Sequence, residues 1–335
     1  MSEQELKKSE LNSNGPATGK WFPRLAMVLL LMTFWPVVFG AHTTTTGAGM
    51  AFPDWPTSDG QNMFTYPWLN DLGTGKFWEH GHRLGGATIG ILSLVLFIGA
   101  WFAERRRWVI SLTFVIGLGV LAQGLMGGTR VVENSVPWAI FHGAFAPLVA
   151  SLIAIVAFVT GKRYREAGAQ ATEAVIGKNK LLAYLTAGSL YIQYVLGCFL
   201  RHKGTAVHEH LGFAAISTVL ILITLFVAKR SQCRMIKGSG FHLFGVLLFQ
   251  LALGLGAWIT RFGLPSLIDY VPMAGSPIQH FMRTAHTIMG MLLFISAVLH
   301  VVKVKRIDWL QKHHEAASPA VASVTDPSST KGNRS

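Results

Sequence analysis

Residues 79–107 read EHGHRLGGATIGILSLVLFIGAWFAERRR. Two histidines and an arginine open this stretch, and three arginines close it. Between them, Leu84–Ala103 is a run of twenty residues without a charge. A helix rises about 1.5 Å per residue, so such a run spans the roughly 30 Å hydrocarbon layer of a bilayer. In lipid, unpaired backbone groups are too costly to leave open, and a single segment satisfies them only as a helix. Seven more apolar stretches follow the same pattern, at 26–46, 109–127, 137–159, 181–200, 210–228, 241–260 and 284–302.

Composition agrees. The 335 residues are 51% hydrophobic and 13% charged, against about 25% charged in a soluble domain. The net charge of +13 does not indicate nucleic-acid binding, because the basic residues flank the apolar runs and do not gather on one surface. With the N-terminus inside, 22 of the 29 Lys and Arg fall in cytoplasmic segments, as the positive-inside rule requires. The acidic start MSEQELKKSELNSNG contains no Arg and is unlike a transit peptide, and the first apolar run is too long for a signal h-region. The expected location is the bacterial plasma (inner) membrane, multi-pass, with both termini cytoplasmic.

The spans divide into two similar units of four. Each unit opens with a helix whose outer end is glycine-bearing (FGAHTTTTGAG; LGCFLRHKGTA). A histidine starts its second helix (HGHRLGGA; HEHLGFAA), glutamine and glycine mark its third (AQGLMGG; FQLALGLG), and a histidine opens its fourth (IFHGAF; RTAHTIMG). The expected fold is an all-α integral membrane protein with eight transmembrane helices in two tandem pseudo-symmetric four-helix bundles. The corresponding division is a cytoplasmic segment 1–25, an N-terminal bundle 26–160, a linker 161–180, a C-terminal bundle 181–303 and a disordered tail 304–335. The glycines read as ordinary close packing between membrane helices.

The histidines are not explained by packing. An ionisable residue within a membrane segment is costly and points to function. His82, His142, His210 and His286 occupy equivalent places, at one depth of four parallel segments. Neutral imidazole is a standard axial ligand of haem iron, and cofactors sit between facing helices of four-helix bundles. The expected pairs are His82 with His142 and His210 with His286, one haem per pair. Residues two apart do not share a helix face, so His80 competes with His82, and His208 stays an alternative to His210. His300 lies 14 residues inward of His286 on nearly the same face, but no matching histidine exists on the other three helices. Two stacked haem layers, as in a quinol-linked di-haem electron carrier, would need such matches. A transporter would need charges at the midplane, where almost none occur. Glu79 precedes His82 by about one turn and is the candidate acid–base or charge-stabilising residue. Arg83, Arg130, Arg201 and Arg261 are candidates for haem propionates. His42, His202 and His280 lie at loop junctions. Cys198 and Cys233 fall on opposite sides of the membrane and cannot pair; with no CxxCH, covalent c-type haem is excluded. The long first external loop, about 47–81, suits a lid.

TGAGMAFPDWP (46–56), Glu79-x-x-His82-Arg83, QGLMGGTRVV (123–132) and the His142 segment, followed by LGCFLRHKGTAVHEH (196–210) and RTAHTIMG (283–290), resemble the haem A synthase family over about residues 30–300. The resemblance implies oxidation of the C8 methyl of haem O to a formyl group, through a hydroxymethyl intermediate, to make haem A for terminal oxidases. It implies a haem b cofactor on His210 and His286, substrate haem O on His82 and His142, and a catalytic role for Glu79. A haem O synthase and an electron acceptor stand as candidate partners beside membrane lipid; the oligomeric state, including a homo-oligomer, stays open. One departure is plain: some members carry a cysteine pair in the first external loop, and this chain has none there.

Overall fold

The computed structural model describes residues 20–167, 173–263 and 273–317. The expectations for residues 1–19, for part of the 161–180 linker and for most of the tail fall outside these residues. The described chain is helical: α1 (Trp21–Met32), α2 (Phe34–Thr45), α3 (Gly75–Ala103), α4 (Arg107–Val132), α5 (Val136–Val159), the short α6 (Lys162–Arg165), α7 (Glu173–Lys203), α8 (Val207–Lys229), α9 (Arg234–Phe262) and α10 (Pro277–Ala317). Helices α1 and α2 together make one span, and eight spans among the described residues are long and apolar enough to cross a membrane. The chain is a multi-pass membrane protein.

The helices begin earlier than hydropathy suggests. α3 starts at Gly75, and its Thr74 hydroxyl caps the Phe77 amide at 3.5 Å. Glu79, His80 and His82 therefore lie on helix, and the first loop ends near Thr74. The reason is physical. Hydropathy reports only the hydrocarbon-embedded part of a helix, while backbone hydrogen bonding carries the helix on into the interface. α10 likewise continues to Ala317, past the expected end at 303, and α7 begins at Glu173 within the expected linker.

Each half closes a ring. The α1–α2 span packs on α3 and α5, α3 on α4, and α4 on α5; in the second half α7 packs on α8 and α10, α8 on α9, and α9 on α10. Phe22, Leu29, Leu96, Ile116 and Ile153 form the core of the first ring. Leu190, Ile221, Leu243, Leu247 and Phe294 form that of the second. The halves meet where α5 packs on α7 and α10 and where α2 packs on α10. Ala150 and Ala154 of α5 lie there against Met291 and Ile295, small residues letting the helices approach closely.

A buried arginine ties the halves at the end that carries the first loop. Arg201 of α7 donates to Thr287 Oγ1 at 2.6 Å, to Thr45 Oγ1 at 2.7 Å and to the Ala41 carbonyl. Thr284 adds a bond to Thr45 at 3.0 Å. At the opposite end, Glu104 and Arg106 clamp the α3–α4 turn. Arg106 donates to both Glu104 oxygens at 2.9 and 2.6 Å and to the Val159 carbonyl at 3.1 Å. Burial alone would raise the Glu104 carboxyl, but the Arg106 side chain and the 105 and 106 amides outweigh it and hold the group below its ordinary range. The fold thus favours the ionised form. Its contribution is present above about pH 4 and is lost as pH falls through the depressed value. Glu104→Gln is expected to lower the thermal midpoint near neutrality, with the difference from wild type shrinking on acidification. A difference that does not change with pH would rule out the ionised clamp.

Candidate functional site

The four histidines form two pairs. The rings of His82 on α3 and His142 on α5 have centroids 6.0 Å apart at 86°. Those of His210 on α8 and His286 on α10 are 6.2 Å apart at 77°. Metal–imidazole bonds of about 2.0–2.1 Å place two ring centres on opposite sides of one metal roughly 6 Å apart. Both separations therefore suit one iron held axially by two imidazoles. Among the described residues no set of three or more His, Cys, Asp or Glu is gathered as a metal site.

The ring orientations support the same chemistry in the first half. His82 donates from Nδ1 to the Pro36 carbonyl at 2.7 Å. His142 donates from Nδ1 to the Gln123 carbonyl at 3.1 Å. A proton held at Nδ1 leaves the Nε2 lone pair for a metal, and such partners fix ring orientation. In the second half side-chain amides lie against the rings instead, without fixing a proton at the His286 Nδ1. Gln193 Nε2 lies 3.2 Å from His210 Nδ1 and 3.3 Å from its Nε2, and Gln250 Nε2 lies 3.5 Å from His286 Nε2. His286 Nδ1 and the Oε1 atoms of Gln123, Gln193 and Gln250 are buried without partners.

A glycine faces every one of these rings from the preceding span. A Cβ on Gly40 would lie 2.7 Å from the His82 ring, on Gly127 3.2 Å from His142, on Gly197 3.3 Å from His210 and on Gly254 2.9 Å from His286. One turn before each glycine stands the residue that holds the ring: Pro36, Gln123, Gln193 or Gln250. Sequence reading passed over this device by treating the glycines as general packing. Its signal was the Gln-x-x-x-Gly spacing at 123–127, 193–197 and 250–254. Gly254→Val is expected to displace the His286 ring and weaken haem retention about 10–100-fold, the range for disturbing a ligand's supports. Haem content of the purified protein reads this out. Gly245→Val, on the same helix and with nothing within 4 Å of its Cβ, should retain haem; equal losses would refute the fitted role.

The competing histidines point elsewhere. His208 is exposed. His80 is fully buried, but its Nδ1 meets Ser58 Oγ at 3.0 Å and its ring packs on Tyr66 and Trp68 of the first loop. His300 is buried against Ser239, its Nδ1 2.7 Å from the Ser239 hydroxyl. His42 packs at a 45° tilt on Trp78, ring centroids 4.0 Å apart, and meets His280 edge-on at 6.2 Å.

Glu79 holds the first loop on the first half. Its Oε2 accepts from Ala51 N at 2.6 Å and Phe52 N at 3.3 Å, and its Oε1 accepts from Arg83 at 2.8 Å. Arg83 also donates to the Asp54 and Thr57 carbonyls at 2.8 and 2.7 Å. Both side chains are nearly sealed, at 7% and 5% exposure for Arg83 and Glu79. Arg83 thus joins Glu79 to the loop, a tie the sequence did not show. Trp55 rests on Gly128 so closely that a Cβ there would collide, and Arg130 donates to the Gly49 carbonyl. The loop therefore sits across α3 and α4, over the His82–His142 pair. In the second half the corresponding connection, between α7 and α8, is only residues 204–206.

Residues 23–210 match the family described as COX15-CtaA, cytochrome oxidase assembly protein. The chain belongs to this family. The matched region begins in α1 and ends at His210, so it contains the whole first half and the start of the second. Curated relatives carry the name "Heme A synthase". One from Rhizobium rhizogenes is 26% identical over 145 residues, covering 41% of this chain and 40% of the relative. One from Cereibacter sphaeroides is 30% identical over 146 residues, covering 38% and 37%. One from Rhizobium etli is 24% identical over 149 residues, covering 41% and 40%. The chain thus spans about two-fifths of the length of the relatives it matches.

Proposed function

We propose that this family member is a haem A synthase, oxidising the C8 methyl of haem O to a formyl group. The reading is carried by one observation: two histidine pairs of iron-spanning separation, of which one lies beneath a loop anchored by a buried carboxylate. A substrate must enter and leave, and a covered site with a removable roof suits that need. A resident cofactor suits the second pair. The first half, 26–160, is accordingly assigned to haem O on His82 and His142. The second, 181–303, is assigned to haem b on His210 and His286. The names of the matched relatives support the same reading.

Haem b, when bound, supplies a one-electron redox centre. The other contributions come from the chain. His82 and His142 fix the substrate plane, their Nδ1 protons committed to Pro36 and Gln123. The loop over α3 and α4 keeps water from the site. Glu79, held by two loop amides and Arg83, sets its carboxylate one turn from His82. Positive charge develops at the methyl carbon as it loses electrons, and a fixed carboxylate in a low-dielectric site stabilises it. Overall the methyl takes the oxygen of one water and gives up four protons and four electrons, by way of the alcohol, the electrons passing to an external electron acceptor. The excess of Lys and Arg in the segments read as cytoplasmic supports a bacterial plasma-membrane protein with both termini inside.

The test is haem extraction and chromatography from cells expressing this chain with a haem O synthase. Haem A is expected only when the chain is present. Haem b with no haem A, in a host that supplies an electron acceptor, would instead indicate a di-haem electron carrier.

A further inference from the structure

We propose that the Gln123 side-chain amide hydrogen-bonds the oxygen that appears on the tetrapyrrole rim in the first half, so that it distinguishes the oxidised substituent from the methyl. This rests on the function proposed above.

Three helices share the Gln-x-x-x-Gly spacing, and two of them use it alike. The amides of Gln193 and Gln250 lie against His210 and His286. α4 departs from this. There the Gln123 backbone carbonyl accepts the His142 Nδ1 proton, and the side chain is released from holding the ring. Across the bundle the matching position is Pro36, which has no amide and likewise uses its carbonyl. The first half thus contains one glutamine amide without a task toward a histidine. Its Oε1 is buried and unpartnered, and buried polar atoms are ordinarily paired. Gln123 and Gly127 are one turn apart and share a helix face. Gly127 meets the His142 ring, so the amide lies on the face that borders the pair.

The chemistry of an amide matches the reaction. It carries both an acceptor and two donors. A methyl offers it nothing. A hydroxymethyl donates to Oε1 or accepts from Nε2, and a formyl oxygen accepts from Nε2. Rotation about the last side-chain bond lets the same residue serve the alcohol and then the aldehyde. Held in this way, the alcohol stays for its second oxidation. In the second half the Nε2 groups of Gln193 and Gln250 already lie against histidine rings, and only their Oε1 atoms, like that of Gln123, lack a partner.

The test is resonance Raman spectroscopy of the full chain carrying haem A, whose formyl stretch is absent from haem b. Wild type is expected to show that stretch below its frequency for haem A in detergent alone, since a hydrogen bond weakens the carbonyl. Gln123→Leu should return it to the detergent value while binding as much haem A, because the bond to His142 comes from the backbone. Gln193→Leu should leave the stretch at the wild-type value. Gln123→Met, closer in shape, gives the same readout if the leucine variant folds poorly. During turnover the Gln123 variants should release a larger share of hydroxymethyl product relative to haem A. An unchanged formyl frequency in Gln123 variants that hold haem A would overturn the proposal and leave the proposed function standing. Failure of the wild type to bind haem A at all would overturn both.

Discussion

His286→Ala is expected to yield a folded protein that has lost its stably bound haem b. The His286 imidazole faces His210 at 6.2 Å, and removing it takes away one of two axial ligands. Disturbing only a ligand's supports costs about 10–100-fold in metal affinity, so loss of the ligand itself should exceed that range. The fold should survive, because His286 is only partly buried and the second-half core is built from Leu190, Ile221, Leu243 and Phe294. The measurement is the haem b content of the purified variant beside its thermal midpoint. Undiminished haem b with an intact fold would remove His286 from the cofactor site. His208→Ala is the matching control: its side chain is exposed, and haem b should be retained.

Glu79→Ala should have the opposite profile, with haem b retained and haem A production lost. Two effects combine. The negative charge near His82 disappears, and the anchor of the first loop goes with it, since Ala51 N, Phe52 N and Arg83 all converge on this carboxylate. Breaking a buried ion pair by removing one partner costs about 3–5 kcal/mol, because the other charge is left uncompensated. That cost falls on the loop, and protease cleavage within 46–74 should rise. Glu79→Gln separates the effects. It retains the shape and one acceptor oxygen but removes the charge. Lost turnover with a still-protected loop would assign the function to the charge. Full activity in both variants would exclude Glu79 from the chemistry. Full activity in Glu79→Gln alone would assign the residue to holding the loop.

The spans and the histidine pairs were legible in the sequence. Apolar length is a local property, and the choice among His80, His82, His208 and His210 followed from face and neighbours. The ties of Glu79 and Arg83 were not legible. Nothing in EHGHR announces that loop amides some 27 residues earlier will close on the carboxylate, or that Arg83 will be consumed by the Asp54 and Thr57 carbonyls. Hydropathy also began α3 at 84 where the helix starts at Gly75, because charged interfacial turns do not register as membrane. Arg201 read as a candidate propionate partner. In the fold it is the bond between halves, through Thr45, Thr287 and the Ala41 carbonyl.

By itself the sequence determined the all-helical membrane fold, its eight spans and the pairing of His82 with His142 and of His210 with His286. Covering a bilayer with paired backbone is a requirement each segment meets alone, from its own length and composition. Only the tertiary structure decided which ring faces which glycine, which glutamine amide is left over, and which half the first loop covers. Those depend on how far each helix is rotated and how closely it approaches its neighbour. That outcome is set by many small packing contributions from different spans, and no single stretch of sequence contains it.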